Sequence, residues 1–287
     1  MAKTHHGSDG RVITFSGGGW QEGSPPLLKA DDHAVWLSSI VFDGARAFDG
    51  VVPDLDLHCA RAVASARVLG LAPTLSGGEI AALAGEGIDR FAADAELYIC
   101  PMFYATEGFI TPDPDSTVFT MTIRESPLPP PDGFSACLSS FRRPARDMAP
   151  NEAKASCLYP NVARCVAEAT GKGFDTAVVL DPIGNVAEFA YSNLFMVKDG
   201  AVHTPAPNGT YLNGLTRQRV VGLLRGAGVT VVERAIDFGE VLEADEVFGS
   251  GNYYKVAPCT RIEGRDLQPG PVYGKARDLY FEWAHSG

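Results

Sequence analysis

The run "RESPLPPPDGFSA", residues 124–136, packs four prolines and a glycine into one short stretch. Proline fixes φ and offers no backbone N–H, so neither a helix nor a central strand continues through it. The chain of 287 residues is thereby divided into a first half, 1–125, a linker, 126–136, and a second half, 137–287. The first half carries strand-like runs at 11–16, 95–105 and 116–123 and helical runs at 56–69 and 78–91. After the linker come strand-like "FSACLSSF" and "DTAVVLD", and then "NLFMVKDGAVHTP", whose Asp199-Gly200 pair suits a tight hairpin turn. Helical periodicity recurs at 160–170, 216–227 and 271–284. Mixed strands and helices in both halves predict an α+β fold of two domains with a cleft between them.

Composition narrows the function classes. A net charge of -11 repels a phosphate backbone, and no Lys/Arg-rich run offsets it, so nucleic acid is excluded as a partner. No uncharged apolar run reaches the roughly 18 residues of a membrane span. The six cysteines form no C-x-x-C pair, and "MAKTHHGSDG" has no apolar signal core, which predicts a reducing, cytoplasmic setting. His5 and His6 are terminal, and His33, His58, His203 and His285 lack HExxH or Cys/His spacing, so no metal is expected.

Candidate chemistry begins with Lys154 in "NEAKASCLYPN". It is one of seven lysines against seventeen arginines and sits in a small, weakly polar run. It is either an exposed residue at a helix start or a desolvated amine, whose neutral form is a nucleophile toward aldehydes. Tyr159 follows, then a helix with Val162, Cys165, Val166 and Ala169 on one face. Arg143 and Asp147 upstream read as loop charges. Glu188 occupies a mostly apolar strand-turn segment; it is either a sheet-edge residue in water or a buried carboxylate that needs a partner. Gly214, Leu215 and Thr216 open an amphipathic helix, where the hydroxyl is an N-cap or part of an anion site. Ser250, Gly251 and Asn252 form a turn able to present N–H groups to an anion. In the first half, Leu57, Ala60, Ala64 and Val68 make an apolar stripe that carries Arg61, so Arg61 is expected to point inward toward an anion or a structural carboxylate. A nucleophilic lysine, a carboxylate for a ring nitrogen, a phenol and several phosphate-grade positions are together the parts that hold pyridoxal 5'-phosphate.

The ordered segments "FDGARAF", "LHCARAVASA", "YICP", "AKASCLY", "AEFAYSNLFMVKDG", "LNGLTR" and "ADEVFGSGN" resemble fold-type IV pyridoxal-phosphate aminotransferases, most closely the branched-chain amino acid aminotransferases. The resemblance implies the two-domain fold shared with D-amino acid aminotransferase, with the cofactor in the interdomain cleft, and at least a homodimer. It further implies that Lys154 holds the cofactor as a Schiff base, Tyr159 hydrogen-bonds its phenolic oxygen and Glu188 pairs with its ring nitrogen. Arg61, Leu215, Thr216 and Asn252 would hold the phosphate, and Phe42, Arg46, Tyr98, Cys100 and Tyr253 would line the substrate pocket. The implied reaction is a ping-pong transfer from an apolar, branched-chain amino acid to a 2-oxo acid.

Three positions depart from the family pattern. Cys100 stands where many branched-chain enzymes carry an arginine for the side-chain carboxylate of 2-oxoglutarate; unless Arg46 or Arg143 reaches in, that substrate should bind weakly. The glycine-rich turn after Glu188 reads "EFAYSN", with Phe189 and Tyr191, and the small phosphate turn reads Asn252-Tyr253. These departures keep open an (R)-selective amine or D-amino acid transaminase. A lyase of the 4-amino-4-deoxychorismate type and a non-catalytic scaffold are the remaining alternatives.

Overall fold

A computed structural model describes residues 10–286; His5 and His6, set aside above as metal ligands, lie outside the described residues. The chain forms two compact units, one running up to Leu128 with Glu152–Leu158 added, the other Pro129–Asn151 with everything from Tyr159 onward. The strand expected at "FSACLSSF" starts at Phe134, directly after the proline cluster that prevents pairing before it. Residues 152–158 belong with the first unit because their backbone pairs there, Ala155 bridging to Val41.

In the first unit, β1 (Val12–Ser16), β2 (Gly19–Glu22), a short helix α1 (His33–Leu37), β3 (Ile40–Phe42) and β4 (Ala45–Ala47) precede two longer helices. These are α2 (Leu55–Val68) and α3 (Gly77–Ile88), followed by β5 (Leu97–Ala105) and β6 (Thr117–Glu125). The sheet order is β2-β1-β6-β5-β3, with β4 also on β5, and every pairing is antiparallel. Alternation along β5 and β6 sorts the faces. Leu97, Ile99, Phe103, Phe119, Met121 and Ile123 join Ala62, Ala66, Ile80 and Ala84 of the helices in one core. Tyr98, Cys100 and Met102 lie on the other face, cross-strand from Arg124, Thr122 and Thr120. Ser76 and Glu79 close a reciprocal capping box at the start of α3.

The expected inward stripe of α2 is corrected. Leu57 and Val68 are 41% and 43% exposed, and the buried face is His58, Cys59, Ala62, Val63, Ser65 and Ala66. The helix is alanine-rich on both sides, so periodicity could not distinguish them.

The second unit contains β7 (Phe134–Arg142), α4 (Tyr159–Gly171), β8 (Thr176–Leu180), β9 (Val186–Phe189), β10 (Asn193–Lys198) and β11 (Ala201–Pro205). It continues through α5 (Leu215–Gly226), β12 (Val231–Arg234), α6 (Phe238–Leu242), β13 (Glu246–Gly251), β14 (Lys255–Ile262), β15 (Arg265–Asp266) and α7 (Pro271–His285). The sheet runs β12-β11-β10-β13-β14-β7-β8-β9 with β15 on β14, and β11–β12, β14–β7 and β7–β8 are parallel. The expected β10–β11 hairpin is present; Asp199 and Gly200 take φ of 50° and 77°, as its turn requires. Val162, Cys165 and Ala169 of α4 pack on Cys137, Ala177 and Val179, while α5 and α7 pack on each other and on β13. No described helix is long and apolar enough to cross a membrane.

Two glycines of α3 test the packing. A Cβ at Gly87 would lie 2.5 Å from Ile123 Cδ1 and from the Trp20 ring, whereas one at Gly85 would meet nothing within 4 Å. Alanine favours a helix over glycine by about 1 kcal/mol, and overpacking a core costs roughly 1–3 kcal/mol. Gly85→Ala should therefore raise the urea midpoint and Gly87→Ala should lower it; a Gly87→Ala protein as stable as Gly85→Ala would refute the tight α3–β6 contact.

Candidate functional site

In the first unit a buried carboxylate organises the candidate residues. Asp43 is fully buried; its Oδ1 accepts from His58 Nδ1 at 2.7 Å, Arg61 Nη2 at 2.8 Å and Gly44 N at 2.7 Å, and its Oδ2 accepts from Arg61 Nε at 2.7 Å. Burial alone would push this carboxyl up, but the charge and hydrogen bonds of Arg61, then those of His58, hold it well below the usual carboxylate range. Arg61 thus has the structural carboxylate that was one of its two expected partners.

Lys154 is held through its backbone from two sides. Its N–H donates to Ser65 Oγ of α2 at 3.0 Å, and its carbonyl accepts from Phe42 N of β3 at 3.1 Å. Its side chain is half-buried, with Nζ 4.7 Å from the centroid of the Phe42 ring. The Cys100 thiol is buried and pushed up to about 11, desolvation outweighing the pull of Arg124 and Lys154. Lys154, Phe42, Tyr98 and Cys100 are thereby grouped.

Of the arginines expected to stand in for the missing one at position 100, Arg143 pairs with Glu188, while Arg46 is buried, cross-strand from Tyr98 with its guanidinium 5.9 Å from that ring's centroid, and donates through Nη1 to the Ser126 carbonyl at 2.6 Å. The nearer cation is Arg124, which sequence reasoning missed: it is cross-strand from Tyr98, with its guanidinium 5.4 Å from the ring centroid. Its signal was the alternation of β6, which puts Thr120, Thr122 and Arg124 on one face.

In the second unit the second buried carboxylate is Glu188, only 5% exposed, so the reading of it as a solvated edge residue is overturned. Oε1 pairs with Arg143 Nη2 at 2.7 Å and Oε2 accepts from Asn193 Nδ2 at 3.2 Å. Arg143 is therefore no simple loop charge. A second bond from its guanidinium, to the Ala190 carbonyl at 2.8 Å, fixes it against the β9–β10 turn.

Asn193, also missed as a site residue, links the remaining parts. Its Nδ2 donates to the Leu212 carbonyl at 3.1 Å and its Oδ1 accepts from Gly214 N at 3.2 Å. Only glycine fits at 214, since a Cβ there would lie 2.3 Å from Asn193 Oδ1. Gly214 is the N-cap of α5 and makes no side-chain cap, so the N-cap role considered for Thr216 is not realised; Thr216 is buried within the first turn, after Leu215. Across the sheet Asn193 registers with Ser250. Ser250 is fully buried with its Oγ unpartnered, and two residues on, Asn252 Nδ2 is likewise buried with no hydrogen-bond acceptor. Tyr253 follows, half-buried and edge-on to Tyr254 at 5.9 Å, and Tyr159 opens α4. One asparagine thus connects a buried carboxylate, a helix N-terminus and a strand end carrying unsatisfied donors. Such an arrangement suits a ligand with a basic nitrogen at one end and an anion at the other.

Residues 40–262 match the family described as amino-transferase class IV. A branched-chain-amino-acid aminotransferase of Pseudomonas aeruginosa is 30% identical over 279 residues, covering 92% of this chain and 89% of that protein. A putative branched-chain-amino-acid aminotransferase of Methanocaldococcus jannaschii is 32% identical over 256 residues, 87% and 88% of the two chains. Among solved structures, an aminotransferase from Brucella abortus bound to the cofactor PLP superposes with a TM-score of 0.95 at 51% identity, covering 96% of this chain and 99% of that one. The branched-chain aminotransferase of Thermoproteus uzoniensis with norvaline gives 0.89 at 27% identity, covering 96% of both.

The Asp43 cluster makes stability pH-dependent with a definite sign. Asp43 is depressed in the folded state, so on acidification the unfolded chain takes up its proton first. Its stabilisation is complete above the ordinary carboxylate pKa of about 3.9 and is lost as pH falls below that value. The stability gap between wild type and Asp43→Asn should be constant from neutral pH to about 5 and shrink toward pH 2. A gap that widens on acidification in urea titrations would contradict the assignment.

Proposed function

The chain belongs to the class IV aminotransferases, and on that footing we propose that it is a pyridoxal 5'-phosphate-dependent transaminase moving amino groups between branched-chain amino acids and a 2-oxo acid. The observation that carries the reading is the bridge made by Asn193 between Glu188 and the Ser250–Asn252 strand end. It offers a carboxylate for a protonated ring nitrogen and, one cross-strand pair away, buried donors for a phosphate. The residues present therefore fit the cofactor.

In this reading Lys154 would hold the cofactor covalently, Tyr159 would donate to its phenolic oxygen, and Arg61, Leu215, Thr216 and Asn252 would surround its phosphate. When bound, pyridoxal phosphate supplies a sink for the electrons left when a substrate loses its α-proton. Once displaced from its bond to the cofactor by the amino substrate, Lys154 Nζ would accept the proton from the substrate's α-carbon, and its backbone is fixed on both flanks. Glu188 would keep a proton on the ring nitrogen, its own charge maintained by Arg143. Phe42, Tyr98 and Tyr253 would give the substrate apolar walls. The six free cysteines support a reducing, cytoplasmic location, and the family resemblance supports at least a homodimer.

Cys100 gives specific support to the second reading, transamination of D-amino acids or (R)-amines, because it withdraws a carboxylate-binding arginine. A donor screen separates the two. With a 2-oxo acid acceptor, L-leucine, L-isoleucine and L-valine should turn over faster than their D-forms or (R)-1-phenylethylamine; the reverse order would favour the second reading, and pyruvate release without an acceptor would make the protein a lyase. Cys100→Arg should lower the KM for 2-oxoglutarate by about ten-fold or more and leave apolar 2-oxo acids unchanged. An unaltered KM would mean that Arg124 already serves that carboxylate.

A further inference from the structure

A lysine side chain is almost never fully buried without a specific partner. Lys255 is 0% exposed, and it opens β14 with a φ of 62°, a left-handed conformation that costs a non-glycine residue about 1 kcal/mol or more. Such a combination of buried charge and strained backbone persists only where the surroundings enforce it. Lys255 registers with Gly251 across the turn between β13 and β14, and its Nζ donates to Asn252 Oδ1 at 2.8 Å.

That contact decides which way the Asn252 amide faces. An ammonium has three protons to give and no lone pair, so only the carbonyl end of the amide can meet it. The NH2 end is turned away from Lys255, and there Nδ2 is buried and has no acceptor. Ser250 Oγ, two residues earlier and fully buried, is in the same condition. A hydroxyl at position 252 would rotate to suit its ligand. An asparagine presents either a donor or an acceptor, and an anion accepts only the donor.

We propose that Lys255 is a positioning residue that locks the Asn252 amide so that its Nδ2 donates to the cofactor phosphate. The inference rests on the cofactor reading given above and assigns Lys255 no contact with the phosphate itself. Lys255 acts by excluding the flipped amide, whose oxygen would repel the anion.

The test compares the affinity of the apoprotein for pyridoxal 5'-phosphate with that for pyridoxal, which lacks the phosphate, by equilibrium dialysis. Wild type should prefer the phosphorylated form strongly. Lys255→Met should reduce that preference about ten-fold or more while leaving the affinity for pyridoxal unchanged, and Lys255→Arg, also a donor-only cation, should restore most of it. Asn252→Ala should reduce it similarly, and the double variant should be no worse than Asn252→Ala, because one residue acts through the other. Asn252→Asp keeps the shape and places a carboxylate beside the ammonium, so it tests the donor even if Lys255→Met does not fold; it too should lose the preference. Additive effects of Lys255→Met and Asn252→Ala, or an undiminished preference in Lys255→Met or Asn252→Asp, would overturn the proposal. A wild type with no preference for the phosphorylated form would instead overturn the cofactor reading.

Discussion

A carboxylate taken out of water must be met by a cation or by several donors, and each unit of this protein is arranged around one that is. Asp43 and Glu188 are both buried and both paired with a guanidinium, Arg61 and Arg143. Removing one partner of such a pair typically costs about 3–5 kcal/mol, so neither arrangement can drift. In the first unit the pair joins the turn after β3 to α2. The same two elements, through Phe42 N and Ser65 Oγ, grip the backbone of Lys154. In the second unit Glu188 is shared with Asn193, which fixes the entrance of α5 and faces Ser250. Rigid electrostatics thus position the parts that sit in softer surroundings.

Much of the architecture was legible because it is local. The proline cluster, the alternation of β5 and β6 and the Asp199-Gly200 turn each determine backbone conformation within a few residues. Strand and helix placement followed. What periodicity could not supply was the orientation of α2, where small residues on both faces gave a stripe at Leu57, Ala60, Ala64 and Val68 that turned out to face solvent.

The candidate site divides along the same line. Lys154 and Glu188 were visible as residues whose type is out of keeping with their neighbours. Their partners were not, since Ser65, Asn193 and Arg143 are 89, 5 and 45 residues distant or near in the chain only by chance of the fold. Arg124 and Lys255 were hidden for a different reason. A basic residue at the end or start of a strand is ordinarily solvated; only the register of β5 with β6 puts Arg124 beside Tyr98, and only the fold buries Lys255 completely.

The central claim is that, of the lysines held in defined surroundings, Lys154 is the one that carries the cofactor. Lys255 is the natural rival, being more deeply buried, but its Nζ donates to Asn252 Oδ1, whereas Lys154 has its backbone fixed by Ser65 and Phe42 and its Nζ 4.7 Å from the centroid of the Phe42 ring. Borohydride reduction of the protein loaded with pyridoxal 5'-phosphate, followed by peptide mapping, decides between them. Label confined to the peptide containing Lys154 is the predicted result, and label on Lys255, or on no lysine, would contradict the account.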